Sequence, residues 1–255
     1  MVRYLFVLLL VLGLSGCSVI RSAKLFAPTW FGFTEICDDV YADDHMTPDQ
    51  RQAFLKTLSL AKRRVSIFFD GIDGSPKVFA CSTEQCFVSH GGIGAKGKAY
   101  GNSMLLLSPR GLNVVIISHE LTHIELHNRV GAFRSWRTIP SWFDEGLAVL
   151  VSEDPRYTDN AWLRATDHGR KAPKLEDIGK MLGNGDWLLS YGTARREVGA
   201  WYLRAGRSGL ERLIAELKDG KGFDTAFNSI ASTDGVSRSP DFTHKTLAKH
   251  SRLTE

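Results

Sequence analysis

The residues best suited to chemistry lie in one short stretch, from His119 to His123, which reads HELTH. Residues four apart on a helix share a face and lie about 6 Å apart along the axis, so both histidines can bind one metal ion. Two imidazoles at this spacing are typical of zinc ligands. Glu120 lies beside the pair, where it can take a proton from a water molecule on the zinc ion. The stretch therefore predicts a zinc site with Glu120 as its catalytic base.

Two possible extensions of this motif within the same helix are excluded. One class of zinc site needs glycine at position 126 and histidine at position 129, but this chain has Leu126 and Arg129. His127 lies two helical turns from His119, about 12 Å along the axis, which is too far for both to bind one ion. We expect His127 beside the site or at the surface, so the third ligand must come from another element.

A second helix, predicted to begin at Pro140, carries the acidic pair Asp144 and Glu145 in an apolar surround. A carboxylate in that setting needs a partner, so either one is a candidate third ligand. The stretch 140–148, PSWFDEGLA, resembles the P-x-W-[LF]-x-E-G-x-A stretch of the gluzincin metallopeptidases, the thermolysin-like and aminopeptidase-like group. This resemblance, which covers roughly residues 104–230, assigns the third ligand to Glu145 and leaves Asp144 as its rival. It also suggests that the small residue Gly146 lets the two motif helices approach closely.

The resemblance implies a zincin-like fold, in which a sheet edge beside the active-site helix pairs with extended substrate. Met104–Leu107 is the strand directly before that helix, so we expect it to be the edge strand. Tyr191 opens a later helix much as a tyrosine does in the aminopeptidase branch, which implies that its hydroxyl stabilises the oxyanion. Packing is the alternative role for this tyrosine. The aminopeptidase motif Gly-x-Met-Glu-Asn is missing from the sequence, which favours an endopeptidase.

Together these residues predict a zinc peptidase that hydrolyses peptide bonds in polypeptide substrates. Zn²⁺ is the expected cofactor, with His119, His123 and Glu145 as ligands, Glu120 as base and Tyr191 as a second catalytic residue. The alternative is a non-catalytic, zinc-stabilised scaffold or chaperone-like envelope protein. A purely structural site has no need of Glu120, so this residue argues for the enzyme.

The elements that must position these residues follow an α+β order, with mixed strands first and helices after them. A helix with Thr47 as its N-cap and Pro48 in its first turn starts the predicted zincin-like catalytic domain, over residues 47–231. Residues 232–255 are expected to form a polar tail. The predicted strands are Val65–Phe69, Lys77–Cys81, Cys86–Ser89 and Met104–Leu107, with a glycine-rich flap over 91–101. The predicted helices run to Lys62 and over Leu112–His127, Pro140–Val151, Tyr191–Ala205 and Gly209–Leu217.

The first residues of the chain have the features of a bacterial lipoprotein leader. Arg3 precedes the apolar run Leu5–Leu12, which is the charge and length pattern of a signal peptide over residues 1–16. The following LSGC resembles the lipobox, which implies cleavage before Cys17 and attachment of diacylglycerol to its thiol. Ser18 then favours the outer membrane, facing the periplasm, over inner-membrane retention. The alternative is an ordinary secretory leader. Residues 17–46 are expected to form a tether and an entry segment.

Three further cysteines, Cys37, Cys81 and Cys86, are disulfide candidates because the envelope is an oxidising compartment. The spacing of Cys81 and Cys86 could close a hairpin, but Cys37 could pair with either of them. The sequence alone leaves this pairing open.

Composition and one failed motif argue against polyanionic partners. The chain has 32 basic and 28 acidic residues, and the bases are scattered, so we expect no nucleic acid partner. The stretch 92–99, GIGAKGKA, nearly matches a phosphate-binding loop. Ala99 stands where that loop needs serine or threonine, and a strand is predicted after it instead of a helix. We therefore expect no bound nucleotide.

Overall fold

The computed structural model describes residues 21–233, with side chains described to residue 230. Among the sequence predictions, the signal peptide, Cys17 and the tail beyond residue 233 lie outside the described residues. The described chain combines one small mixed sheet with a mainly helical second half, which confirms the predicted α+β class.

The sheet has five strands in the order β1-β2-β3-β5-β4. Their bounds are Phe33–Cys37 (β1), Val40–Asp43 (β2), Lys77–Ala80 (β3), Gly97–Tyr100 (β4) and Met104–Leu107 (β5). The three central strands are parallel, and both edge strands pair antiparallel with their neighbours. The prediction that Met104–Leu107 is the edge strand is therefore wrong. All four of its residues are buried, as in a strand covered on both faces. The edge beside it is β4, which occupies part of the predicted flap.

The first long helix, α1, spans Pro48–Phe69 and absorbs the predicted strand Val65–Phe69. Thr47 and Gln50 form a capping box at its start. The buried side chains Phe54, Leu58, Ala61, Val65 and Phe69 recur every three or four residues. This single apolar stripe runs through both predicted elements, so one helix buries it and a strand could not.

A second predicted strand, Cys86–Ser89, is also helical. The short helix α2 spans Glu84–Ser89. Thr83 caps its start, because its hydroxyl accepts a hydrogen bond from the Cys86 backbone N–H. A disulfide joins Cys81, directly after β3, to Cys86 within α2. The bond therefore connects a strand to a helix instead of closing a hairpin. Among the three described cysteines, Cys37 is left outside this disulfide and is exposed.

The second half of the described chain contains seven α-helices. They are Val114–Val130 (α3), Ala132–Thr138 (α4), Ser141–Ser152 (α5), Asp159–Ala165 (α6), Ile178–Asn184 (α7), Trp187–Lys218 (α8) and Phe223–Thr233 (α9). The predicted helices over 112–127 and 140–151 correspond to α3 and α5. Gly206 has a positive φ of 65° and interrupts α8, which confirms the predicted separation of its two halves.

The main core lies where the sheet, α1, α3, α5 and α8 pack together. It includes Leu105, Leu107, Leu121 and Trp201, all buried. A Cβ on Gly146 would lie 2.4 Å from the Ala194 carbonyl oxygen, so this glycine lets α5 approach α8. The sequence predicted that Gly146 lets α5 approach α3, but the nearest atoms to a Cβ there belong to α8.

Candidate metal centre

Helix α3 holds the two histidines in a fixed orientation. Asn113 caps its start by accepting a hydrogen bond from the Ile116 N–H. The opposite face of the helix is anchored in the core by buried side chains that include Ile117 and Leu121. One turn apart, the Nε2 atoms of His119 and His123 lie 3.2 Å from each other. Both side chains are largely buried, at 14% and 12% exposure.

Helix α5 supplies the third donor. Glu145 Oε2 lies 3.2 Å from His119 Nε2 and 3.5 Å from His123 Nε2. Tetrahedral zinc with bonds of about 2.0–2.1 Å separates its ligand atoms by roughly 3.3 Å, so the three distances match that geometry. Among the described residues, no hydrogen bond of good geometry reaches the buried Glu145 Oε2, although the two Nε2 atoms lie within 3.5 Å of it. An orphaned carboxylate oxygen is costly, and a cation between the three atoms would satisfy it.

Asp144, the rival ligand, lies behind His123 instead of beside the three donors. Its two oxygens contact His123 Nδ1 at 2.7 Å and His127 Nε2 at 2.9 Å. A proton on His123 Nδ1 leaves the Nε2 lone pair free for a metal ion. Asp144 therefore orients a candidate ligand, and His127 lies beside the site as expected, with its ring linked to the candidate centre through this carboxylate.

The charges of the centre reinforce one another. Burial acts to raise the pKa of Glu145, but His123 and His119 outweigh it and lower that pKa to about 2. The same balance holds the pKa of Asp144 well below its ordinary value, through His123 and His127. Burial acts to lower the pKa of His123, yet Asp144 and Glu145 raise it well above its usual range. Both carboxylates are therefore ionised at neutral pH, as metal binding requires.

Glu120 lies between the metal centre and the edge strand. The Ala99 N–H of β4 donates a hydrogen bond to Glu120 Oε2 at 3.2 Å. A Cβ on Gly97 would lie 2.7 Å from Glu120 Cγ, so the strand and this side chain are in direct contact. Burial raises the pKa of Glu120 and outweighs the opposing effect of His119 and His123. A carboxylate with a raised pKa is suited to proton transfer near neutral pH.

Tyr191, in the first turns of α8, is brought to the same centre. Its ring lies 6.0 Å from the His119 ring, 5.1 Å from Tyr157 and 5.9 Å from Trp187, with which it stacks. Burial is the main cause of its raised pKa, and the nearby Glu145 adds to it. The phenol is therefore neutral and can donate a hydrogen bond.

Sequence reasoning missed two groups of residues around the centre. The first is the contact of Gly97 and Ala99 with Glu120, for which the only sequence signal was the cluster of glycines. The second lies beside Tyr191, where a cavity of about 540 Å³ opens. Its lining residues are Arg156, Tyr157, Gly185, Asp186, Trp187, Leu188 and Leu189. Arg156 is fixed there by Asp154, whose buried carboxylate accepts hydrogen bonds from its guanidinium. The Asp-Pro-Arg-Tyr turn is the sequence signal for this second group.

In comparisons with known proteins, no family model, no curated protein and no solved structure matches this chain. Between residues 21 and 233, no helix combines the length and the hydropathy needed to cross a bilayer.

Proposed function

We propose that this chain is a zinc-dependent endopeptidase of the gluzincin type, with a zincin-like fold. One observation carries the proposal: three donor atoms of His119, His123 and Glu145 lie 3.2–3.5 Å apart, and among the described residues no hydrogen bond of good geometry reaches the buried glutamate oxygen. The donor set of two imidazoles and one carboxylate is that of catalytic zinc sites, which keep a fourth position for water or substrate. When bound there, zinc supplies Lewis acidity, which polarises a carbonyl group and makes water more acidic.

The chain's own residues would supply the remaining chemistry. Glu120 accepts a proton from the attacking water and returns it to the leaving amine, a role that its raised pKa favours. The Tyr191 hydroxyl donates a hydrogen bond to the substrate oxygen that gains negative charge. Among residues 21–233, the edge strand β4 has a sheet partner on one side only, so its other side can pair with an extended polypeptide. Its contact with Glu120 would bring that polypeptide to the base.

We also propose that the enzyme is a lipoprotein, anchored by a diacylglyceryl group at Cys17 in a bacterial outer membrane and facing the periplasm. The LSGC sequence supports this proposal, as does the disulfide between Cys81 and Cys86, which fits an oxidising compartment. Intact-mass measurement of the membrane fraction tests it. Loss of residues 1–16 together with an added diacylglyceryl group is the expected result.

Replacing Glu120 with glutamine separates the enzyme from a zinc-stabilised scaffold. The substitution keeps the side-chain volume and the three metal ligands but removes the base. We expect hydrolysis of an unfolded polypeptide to fall about 10²–10⁴-fold, with zinc content and thermal stability unchanged. Glu211→Gln, at an exposed position on α8, is the matched control and should keep full activity.

Two measurements accompany this variant. A chelator should abolish hydrolysis by the wild-type protein, and added zinc should restore it. If Glu120→Gln kept zinc, fold and full cellular function, proton transfer would not be the purpose of the site. The scaffold would then replace the enzyme as the better explanation.

A further inference from the structure

Three large aromatic side chains near the start of the described chain face solvent. Phe26 is 79% exposed, Trp30 is 86% exposed and Phe31 is 43% exposed. The neighbouring Leu25 and Pro28 are buried, so the segment packs one side against the domain and presents its aromatic residues outward. Clustered exposed aromatic residues of this kind mark a surface that a partner covers.

The segment is fixed to the rest of the molecule. The Phe31 carbonyl oxygen lies 3.1 Å from His90 Nε2, and the ring of Phe33 contacts the ring of His90 at 4.8 Å. A Cβ on Gly91 would lie 2.7 Å from Ser22 Oγ, so this part of the chain rests directly on the glycine-rich loop. We call Phe26, Trp30 and Phe31 the aromatic surface.

The segment that carries the aromatic surface is itself basic. Residues 17–34 contain Arg21 and Lys24 but no aspartate or glutamate, and the nearby Asp44 carboxylate lies 4.0 Å from where a Cβ on Gly32 would be. The Lys24 ammonium lies 5.8 Å from the Phe31 ring, so one of these cations is placed beside the exposed aromatic residues. A surface of this composition suits a bilayer that contains anionic lipid, where aromatic rings occupy the headgroup region and bases attract phosphate groups.

The position of this surface along the chain points to the same partner. Arg21 is four residues after Cys17, and four residues can span at most about 14 Å. A diacylglyceryl group on Cys17 would therefore keep this segment close to the headgroups. The lipid anchor holds the chain at the bilayer through a short segment and does not by itself fix the orientation of the domain, whereas contact of the aromatic surface with the bilayer would fix it.

We propose that the aromatic surface docks on the phospholipid bilayer and sets the orientation of the enzyme; this inference rests on the proposed anchoring at Cys17. The same segment contacts the edge strand, because Ser22 Oγ lies 3.4 Å from the hydroxyl of Tyr100 in β4, and Ala99 of that strand contacts Glu120. Docking through this surface therefore holds the edge strand and the base at a fixed height above the membrane. Such an enzyme would act on extended polypeptide segments presented near the bilayer surface.

Quenching of tryptophan fluorescence by brominated lipids tests this proposal. The full mature lipoprotein is reconstituted into vesicles of phosphatidylethanolamine and phosphatidylglycerol, with or without brominated acyl chains. The chain has six tryptophans, so the contribution of Trp30 is read from the difference between the wild type and Trp30→Phe. Phenylalanine keeps an aromatic ring in the docking surface and removes only the reporter. Trp136→Phe is the matched control, because Trp136 is 82% exposed but lies on α4.

We expect brominated vesicles to quench the wild-type fluorescence, Trp30→Phe to lose most of that quenching, and Trp136→Phe to keep it. Intact mass of the same samples reports the diacylglyceryl group on Cys17. A lipidated protein that shows no quenching, or whose quenching survives Trp30→Phe, overturns the docking proposal and leaves the anchor intact. A protein without the diacylglyceryl group overturns the anchor and, with it, the docking proposal.

Discussion

At the scale of single residues, the function of the centre depends on how two adjacent acids divide their roles. Neighbouring residues on a helix point about 100° apart, so Asp144 and Glu145 cannot face the same atoms. Glu145 reaches the Nε2 side of the two histidines, whereas Asp144 reaches the Nδ1 side of His123 and the ring of His127. One acid is thus a candidate ligand and the other positions a ligand.

Exchanging each acid for alanine should therefore weaken zinc binding to different extents. Asp144→Ala removes a carboxylate that orients His123, and such losses typically reduce metal affinity about 10–100-fold. Glu145→Ala removes a donor atom and should weaken binding much further. Competition with a chromophoric chelator measures both affinities, and circular dichroism shows whether both variants fold. A larger loss with Asp144→Ala would transfer the ligand role to Asp144.

Part of this centre could be predicted from the sequence, because part of its geometry is local. The four-residue spacing of His119 and His123 fixes their common face on any helix, and Glu120 follows from the same turn. The choice between Asp144 and Glu145 depends on how two separate helices face each other, so the residues left it open and only the resemblance favoured Glu145. Gly97 and Glu120 lie 23 positions apart in the sequence, so no pattern within one element predicts their contact.

At the scale of elements, the edge strand β4 packs directly on helix α3 beside the candidate metal centre. Gly97 is the residue through which they meet, because a Cβ there would lie 2.7 Å from Glu120 Cγ and 3.0 Å from its Oε1. Its backbone conformation is one that other residues adopt readily, since its φ is not positive. The constraint at this position is therefore the space occupied by Glu120.

Gly97→Ala should consequently displace the base without unfolding the strand. A shift of about 1 Å in a catalytic group can cost about 10²-fold in rate, and we expect a loss of that order at unchanged zinc content. Gly183→Ala is the control, because a Cβ at Gly183 meets nothing within 4 Å. Steady-state hydrolysis and zinc analysis of both variants test the expectation. Full activity of Gly97→Ala would show that the base tolerates the added methyl group or takes no part in the reaction.

The elements differ in how well their sequences reveal them. Helices α3 and α5 combine long apolar patterns with clear starts, so they were predicted with errors at their ends only. Strand β4, with the sequence GKAY, has no alternation of apolar and polar residues, and it exists because β5 offers it an edge. Tertiary pairing, more than local preference, decides such a strand. The strand predicted at 65–69 failed for the opposite reason, since a short apolar run has the same composition in a buried helix.

At the scale of the whole molecule, the metal centre links α3 and α5, which pack together within the core. Without metal, the link is the set of contacts between His123, Asp144 and Glu145. With metal, the same side chains would be joined through the ion, and its binding free energy would add to the stability of the fold. The stabilities of the metal-free and the metal-bound protein must then depend differently on pH, because protons and the metal ion compete for His123.

The stability of the metal-free protein should be greatest in mildly acidic solution. Glu145 has an ordinary pKa of 4.5 and a folded pKa of about 2, so its stabilising effect is complete above 4.5 and is lost as pH falls through 2. His123 has a raised folded pKa, so its effect is complete below the ordinary value of 6.5 and is lost as pH rises through the higher folded value. Between about 4.5 and 6.5 both contributions are present. Above this window, the loss of the His123 proton weakens the cluster.

Zinc should therefore stabilise the protein most at the pH where the metal-free cluster is weakest. Thermal unfolding of metal-free and zinc-loaded protein at a series of pH values from 5 to 8 measures this difference. We expect the gap between the two midpoints to widen as pH rises, because fewer protons compete for the imidazoles. The His119→Ala/His123→Ala double variant removes two donors and should show no gap at any pH. A gap that stays constant across this range, or that persists in the double variant, would place the stabilising zinc elsewhere in the chain.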